Sequence, residues 1–250
     1  MILRSVMKHV RDQNWFAVGL DFLIVVVGVF IGIQVADWNE GRKDQADEAR
    51  FLVQLHSDIE LAERLSQRVR ERRLDRIDGI MSGVDVLFER SQRNVLTDRE
   101  CRAIAASHYL VISTADFAAF TELMSAGRID IIRDDDLRRN LIQFQQVRSS
   151  LRDLITILKS DTLALPQIFP DLISIDARYD DESGEVRSTT SCDLYGMRAS
   201  RPFLNAATAN ADAYDAYVRD GLQPWSDQLS RLHDRIDRIL GVDHAGKAAP

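Results

Sequence analysis

Twenty consecutive residues from Phe16 to Val35, FAVGLDFLIVVVGVFIGIQV, hold one acid and one amide and are otherwise apolar or small. As a helix such a segment is about 30 Å long, the thickness of a bilayer's hydrocarbon core. Its centre, Phe22–Phe30, is an unbroken apolar or glycine run, wider than the single buried stripe of a core helix. Trp15 and Trp38 bracket the segment, where interfacial aromatics sit. A cleaved leader would need a shorter apolar stretch and small residues before the cut, yet Gln34 stands three positions before a cut after Ala36. The sequence therefore predicts a basic tail at 1–15, a transmembrane helix at 16–36, a soluble helical domain at 37–241 and a flexible tail at 242–250.

Basic residues flank the span on both sides, Arg4, Lys8 and Arg11 before it and Arg42, Lys43 and Arg50 after it. The positive-inside count is thus near a tie. The N-terminal amine and the shortness of the leading tail tilt it toward a cytoplasmic N-terminus. In a bacterial inner membrane the C-terminal domain then lies in the periplasm.

One helical stripe of the span is distinctive. Asp21, Val25, Gly28, Gly32, Ala36 and Asn39 recur at spacings of three and four, so they share a face. Gly28-x-x-x-Gly32-x-x-x-Ala36 is a small-residue ladder of the kind that lets two helix backbones approach closely. It marks this face for self-association or for a protein partner in the membrane. Asp21 adds an ionisable group inside the span, by default a functional feature. Single-span partners of proton-driven motors carry such an aspartate, which makes an accessory subunit of a transport complex the alternative reading. Asp21 lies only about 7–8 Å along the helix from Phe16, however, within reach of water or of Arg11.

Beyond the span the chain reads as ordinary globular protein, with 45% apolar and 28% charged residues, and its few prolines (5) and glycines (12) favour helix over sheet. The net charge is −7, and residues 1–36 carry +1 of it, leaving −8 on the remainder. So acidic a domain lacks the footprint of a nucleic-acid binder. Its arginines alternate with acids along helices, as on a solvated, salt-bridged face.

The expected fold is all-α, an antiparallel helical bundle with one small β-hairpin or loop excursion. Leu52, Leu55, Ile59, Ala62, Leu65 and Val69 keep helical spacing. After an arginine-rich skip at Arg70–Arg73 the stripe resumes at Leu74, Ile77, Met81, Val84 and Phe88, implying a kink or a change of packing partner. Thr97 and Asp98 cap a helix over 98–111, and Ser113 or Thr114 opens another that Gly127 ends, with Phe117, Phe120, Leu123 and Met124 as core. Asp134, Asp135 and Asp136 lack the spacers and glycine of a calcium loop and read as a helix start. The helix they open carries Leu137, Leu141, Phe144, Leu151, Ile155, Leu158 and Leu165 on a coiled-coil-like four-three repeat before Pro166. ISIDARYD and EVRSTTS flank Asp181–Gly184 as the excursion. Two helices separated near Pro224 complete the bundle, the last bearing Trp225, Leu229, Leu232, Ile236 and Ile239.

Chemistry is harder to find. His9, His56, His108, His233 and His244 are dispersed, with no His-x-x-x-His or Glu-x-x-His pair to build a metal site. There is no nucleophile elbow, phosphate-cradling loop or dinucleotide fingerprint. No catalytic, cofactor-binding or metal-ligating residue is assigned, and no enzymatic role is expected. Cys101 and Cys192 fit no metal or redox spacing. They form one disulfide if the domain lies outside the cytoplasm, or stay as two thiols.

Asp21, the Val-Val-Gly-Val-Phe-Ile-Gly run, Gln34 and the Trp38-Asn39-Glu40 box together resemble an uncharacterised bacterial family. Its members are small proteins with one N-terminal membrane helix ending in a Trp-Asn-Glu box. A second, looser match runs from Glu122-Leu123-Met124-Ser125-Ala126-Gly127 to Ile131-Ile132 and Leu137. This chain departs in carrying Asp where members more often have Glu, and Ala36-Asp37 in place of an amide-rich stretch. The resemblance implies the single-span topology and no activity.

Overall fold

A computed structural model describes residues 15–111, 117–181 and 184–244; for residues 15–18, 21, 180 and 185 the description covers the backbone alone. The described residues form an all-α fold with one antiparallel hairpin. In chain order the helices are α1 (Trp15–Leu87), α2 (Asp98–Ala105), α3 (Ala118–Ser125), α4 (Asp135–Asp161), α5 (Leu165–Ile168), α6 (Leu194–Ala199), α7 (Arg201–Ala216) and α8 (Gln223–Leu240). Strands β1 (Ile173–Asp180) and β2 (Glu185–Cys192) lie between α5 and α6, and a 3₁₀ turn, Ile129–Ile131, precedes α4. The chain divides into two compact units, Met1–Phe51 and Leu52–Pro250.

In the first unit α1 presents its apolar surface outward. Phe22, Ile24, Val25, Val29, Phe30, Ile31 and Ile33 are all exposed. None of its most apolar eighteen-residue window is buried, and this helix is long and apolar enough to span a membrane.

In the second unit the same helix is amphipathic. Leu55, Ile59, Ala62 and Ser66 are buried, as are Ile77, Ile80, Val84 and Leu87. The expected change of packing partner at Arg70–Arg73 is present, from α8 at His56, Glu63 and Arg70 to α2 at Asp75, Gly79 and Ser82. The skip itself is corrected, since half-buried Arg70, Arg73 and Arg76 continue the inward line of α1. Arginine can do this because its aliphatic stem packs while its head reaches a polar partner. Arg70 Nη2 donates to Gln223 Oε1 at 3.2 Å. The stripe expected through Leu65, Leu74 and Met81 is corrected with it, since those three are exposed.

Helix α8 runs antiparallel to both α1 and α4. Against α1, His56 meets Asp237, Glu63 meets Ser230, and Arg70 meets Gln223. Against α4, Asp134 meets Arg235 and the Asn140 carbonyl accepts from Gln228. Asp134 also caps α4, accepting from the Leu137 amide at 2.7 Å. The four-three repeat of α4 buries Leu137, Leu141, Phe144, Arg148, Leu151 and Ile155. Phe144 stacks on Phe117 with ring centroids 4.7 Å apart, whereas Met124, expected in the core, is exposed.

The expected separation near Pro224 is also corrected. Helices α7 and α8 are joined by a π-helical stretch, Tyr217–Leu222. Proline lacks an N–H and its ring crowds the carbonyl four residues back. The wider π turn accommodates this, and the Gln223 amide bonds to the Val218 carbonyl, five residues back. Burial pushes the Tyr217 hydroxyl up to about 12 despite nearby Arg73, and that hydroxyl donates to the Val111 carbonyl at 2.7 Å.

Helix α2 is shorter than expected, and the onset foreseen at Ser113 or Thr114 falls outside the described residues. Thr97 caps α2 in a full capping box with Glu100. Glu100 is 3% exposed. It accepts from Ser82 on α1 at 2.5 Å and from Arg93 at 2.6 and 3.0 Å. The Arg93 guanidinium above all, with Ser82 and Thr97, holds its carboxyl down at about 2 against the opposing cost of burial. At this crossing Gly79 and Gly83 let α2 approach closely: a Cβ on Gly79 would stand 2.8 Å from Ala103 Cβ.

Candidate functional site

The residues expected to act in the membrane all lie on α1. Val25, Gly28, Gly32, Ala36 and Asn39 are exposed, and nothing lies within 4 Å of a Cβ built on Gly28 or Gly32. The side chains of Trp15 and Asp21 lie outside the described part. Trp38 is exposed, with the Arg42 guanidinium 5.1 Å from its ring centroid. Cys101 and Cys192 form a disulfide that fastens α2 to the end of β2.

The tertiary structure also gathers residues that the sequence leaves far apart. The expectation that the histidines are dispersed is corrected for three of them. His56 and Glu60 lie one turn apart on α1, and His233 and Asp237 one turn apart on α8. Gly241, with φ of 66°, ends α8 in the left-handed region and returns the chain toward His244. One ligand atom from each of His56, Glu60, His233 and His244 falls within 4.8 Å of all the others.

Asp237 approaches all three histidines of this group. Its Oδ1 is 2.9 Å from His56 Nε2, 3.3 Å from His244 Nε2 and 3.5 Å from His233 Nε2. On its other side the His233 ring meets Glu63, with Nδ1 2.5 Å from Oε2. That carboxylate also accepts from Ser230 at 3.2 Å. His233 Nε2 is buried and makes no hydrogen bond. Glu60 is 3.8 Å from the Arg64 guanidinium. The cluster is half-buried, and its nitrogen and carboxylate oxygen donors suit a transition metal ion. The sequence shows only its halves, His56-x-x-x-Glu60 and His233-x-x-x-Asp237, each pairing two ligand types on one helical face; that the two faces meet is not written locally.

A concavity of about 520 Å³ lies among α1, α2, α5 and the hairpin. Arg72, Arg76, Arg99, Arg102 and His108 line it with Asp75. Arginines expected to alternate along solvated faces thus pool locally where two helices cross. Arg99 donates to Asp75 at 2.8 Å. Burial lowers the affinity of the His108 imidazole for a proton, against a backbone hydrogen bond that raises it.

No family model matches the chain, and no curated protein or solved structure matches it either.

Proposed function

We propose that this chain is a non-enzymatic, single-pass protein of a bacterial inner membrane. Its N-terminus is cytoplasmic, and its helical domain acts in the periplasm as an interaction, scaffold or sensor-like module. The observation that carries this reading is the wholly unburied apolar surface of α1 between Phe22 and Trp38. Leaving so much contiguous apolar area in water costs far more than a domain's net stability, whereas a bilayer accepts it. The Cys101–Cys192 disulfide supports the periplasmic side, because such bonds persist in oxidising compartments. The exposed ladder of Gly28, Gly32 and Ala36 supports pairing of this helix with a second copy or another span. The acidity of the domain argues against nucleic acid as a partner.

Membranes from cells producing the full chain with a C-terminal epitope test this directly. The chain is expected to resist alkaline extraction. Protease is expected to remove the epitope in spheroplasts and leave it intact in inverted vesicles. Release by alkali would sink the anchor, and the reverse protection pattern would sink the orientation.

A further inference from the structure

We infer that His56, His233 and His244, together with Asp237, form a binding site for a divalent first-row transition metal ion. The inference rests on Leu52–Pro250 alone, so it stands or falls separately from the membrane reading.

The geometry carries the argument. In a tetrahedral site with ligand bonds of about 2.0–2.1 Å, neighbouring donor atoms are about 3.3–3.4 Å apart. The separations of Asp237 Oδ1 from the three Nε2 atoms, 2.9, 3.3 and 3.5 Å, bracket that edge length. Glu60 offers a second carboxylate oxygen, within 4.8 Å of a ligand atom of each of the three histidines.

The surroundings of His233 point the same way. Its Nδ1 lies 2.5 Å from Glu63 Oε2, while its Nε2 is buried, makes no hydrogen bond and faces Asp237 Oδ1 at 3.5 Å. An ion at Nε2 would leave Glu63 on the far nitrogen of the ring. The carboxylate–imidazole–metal relay that results is a recurrent way of orienting a histidine ligand. Three carboxylates, those of Glu60, Glu63 and Asp237, surround the position and favour positive charge.

Imidazole with carboxylate selects zinc, cobalt, nickel or copper over magnesium or calcium. Three imidazoles and one carboxylate fill a tetrahedron, and a closed site of that kind is structural, not catalytic. The ion would join α1, α8 and the segment after Gly241, holding the end of the described chain against the bundle.

The test uses the full chain in detergent, stripped by a chelator and titrated with Co(II), then challenged with Zn(II). One Co(II) per chain is expected, with the intense visible bands of a tetrahedral site, and Zn(II) should displace it. His233→Ala and His244→Ala should each weaken binding by roughly 100-fold or more, and Glu63→Gln by about 10- to 100-fold. His108→Ala should leave it unchanged. His244 lies beyond the last helix with its side chain 31% exposed, so its loss leaves the core packing in place and isolates the ligand effect. Absence of the bands, an octahedral spectrum, or binding that survives both histidine replacements would overturn the site.

Discussion

Helix α1 carries two glycine ladders of the same spacing, Gly28-x-x-x-Gly32 in the first unit and Gly79-x-x-x-Gly83 in the second. At the second, α2 fills the groove: Ala103 Cβ lies 2.8 Å from where a Gly79 Cβ would stand, and Ile104 Cδ1 2.8 Å from where a Gly83 Cβ would. At the first, nothing lies within 4 Å. The same local sequence device is therefore satisfied inside the chain at one place and left open at the other. The difference is in the surroundings. The residues around Gly79 and Gly83 are amphipathic and belong to a core, whereas those around Gly28 and Gly32 are apolar on every side and belong in a solvent that is itself apolar.

Three changes around the filled ladder sharpen that contrast, because each loosens α2 from a neighbour, β2 in the first case and α1 in the other two, and should leave the open ladder indifferent. The largest is loss of the disulfide. Cys101 and Cys192 are 91 residues apart, and closing a loop of that length restricts the unfolded chain by about 4–5 kcal/mol on the loop-entropy model. Cys101→Ser with Cys192→Ser should lower the denaturant midpoint of the domain accordingly, while retention in the membrane fraction stays as it was. If the midpoint does not move, the disulfide has no part in securing α2.

The next largest concerns pH. Glu100 holds its proton with a pKa of about 2 in the folded chain, against 4.5 ordinarily. The unfolded state therefore takes up the proton first as pH falls. The stabilisation is complete above pH 4.5 and declines as pH drops toward 2, by up to about 3 kcal/mol across that window. Glu100→Gln should flatten the stability profile there and leave the slope above pH 5 alone. An unchanged acid limb in the variant would show that other carboxylates govern it.

The smallest effect is at the glycines themselves. Gly79→Ala sets a new methyl against Ala103 Cβ at 2.8 Å, a contact between two short side chains that cannot rotate away. Overpacking of this kind costs about 1–3 kcal/mol, partly offset by about 1 kcal/mol of helix propensity. A net loss of about 1 kcal/mol is expected in chemical denaturation. Gly28→Leu with Gly32→Leu should cost the domain nothing and instead reduce cross-linked dimer in membranes. Equal effects of the two replacements on the denaturation midpoint would abolish the distinction between the ladders.

Much of the fold was legible. The hairpin strands flank the turn that Asp181 and Gly184 mark, and the repeat of α4 buries Leu137 through Ile155 as read, although Leu158 is only half-buried and Leu165 belongs to α5 because α4 ends at Asp161. These elements read well because each has a single period and a clear stop. The arginine stretch of α1 did not, since residue type alone cannot say whether a guanidinium ends an apolar stripe or extends it on its stem. Helix continuity at Pro224 was hidden for a related reason: whether a proline breaks a helix depends on how the backbone around it can widen. The candidate metal cluster was hidden by distance along the chain. His56 belongs to the first helix of the domain and His233 to the last, and only the antiparallel pairing of α1 with α8 makes them neighbours.

Local sequence sets the long apolar segment at Phe16–Val35 and the helical character of the chain beyond it, because both depend on composition and period within a few turns. The tertiary structure alone decided which charged residues turn inward and which glycine ladder finds a partner. It also decided that three histidines from separate elements converge on Asp237. Those outcomes depend on which distant surfaces meet, and no local pattern carries that information.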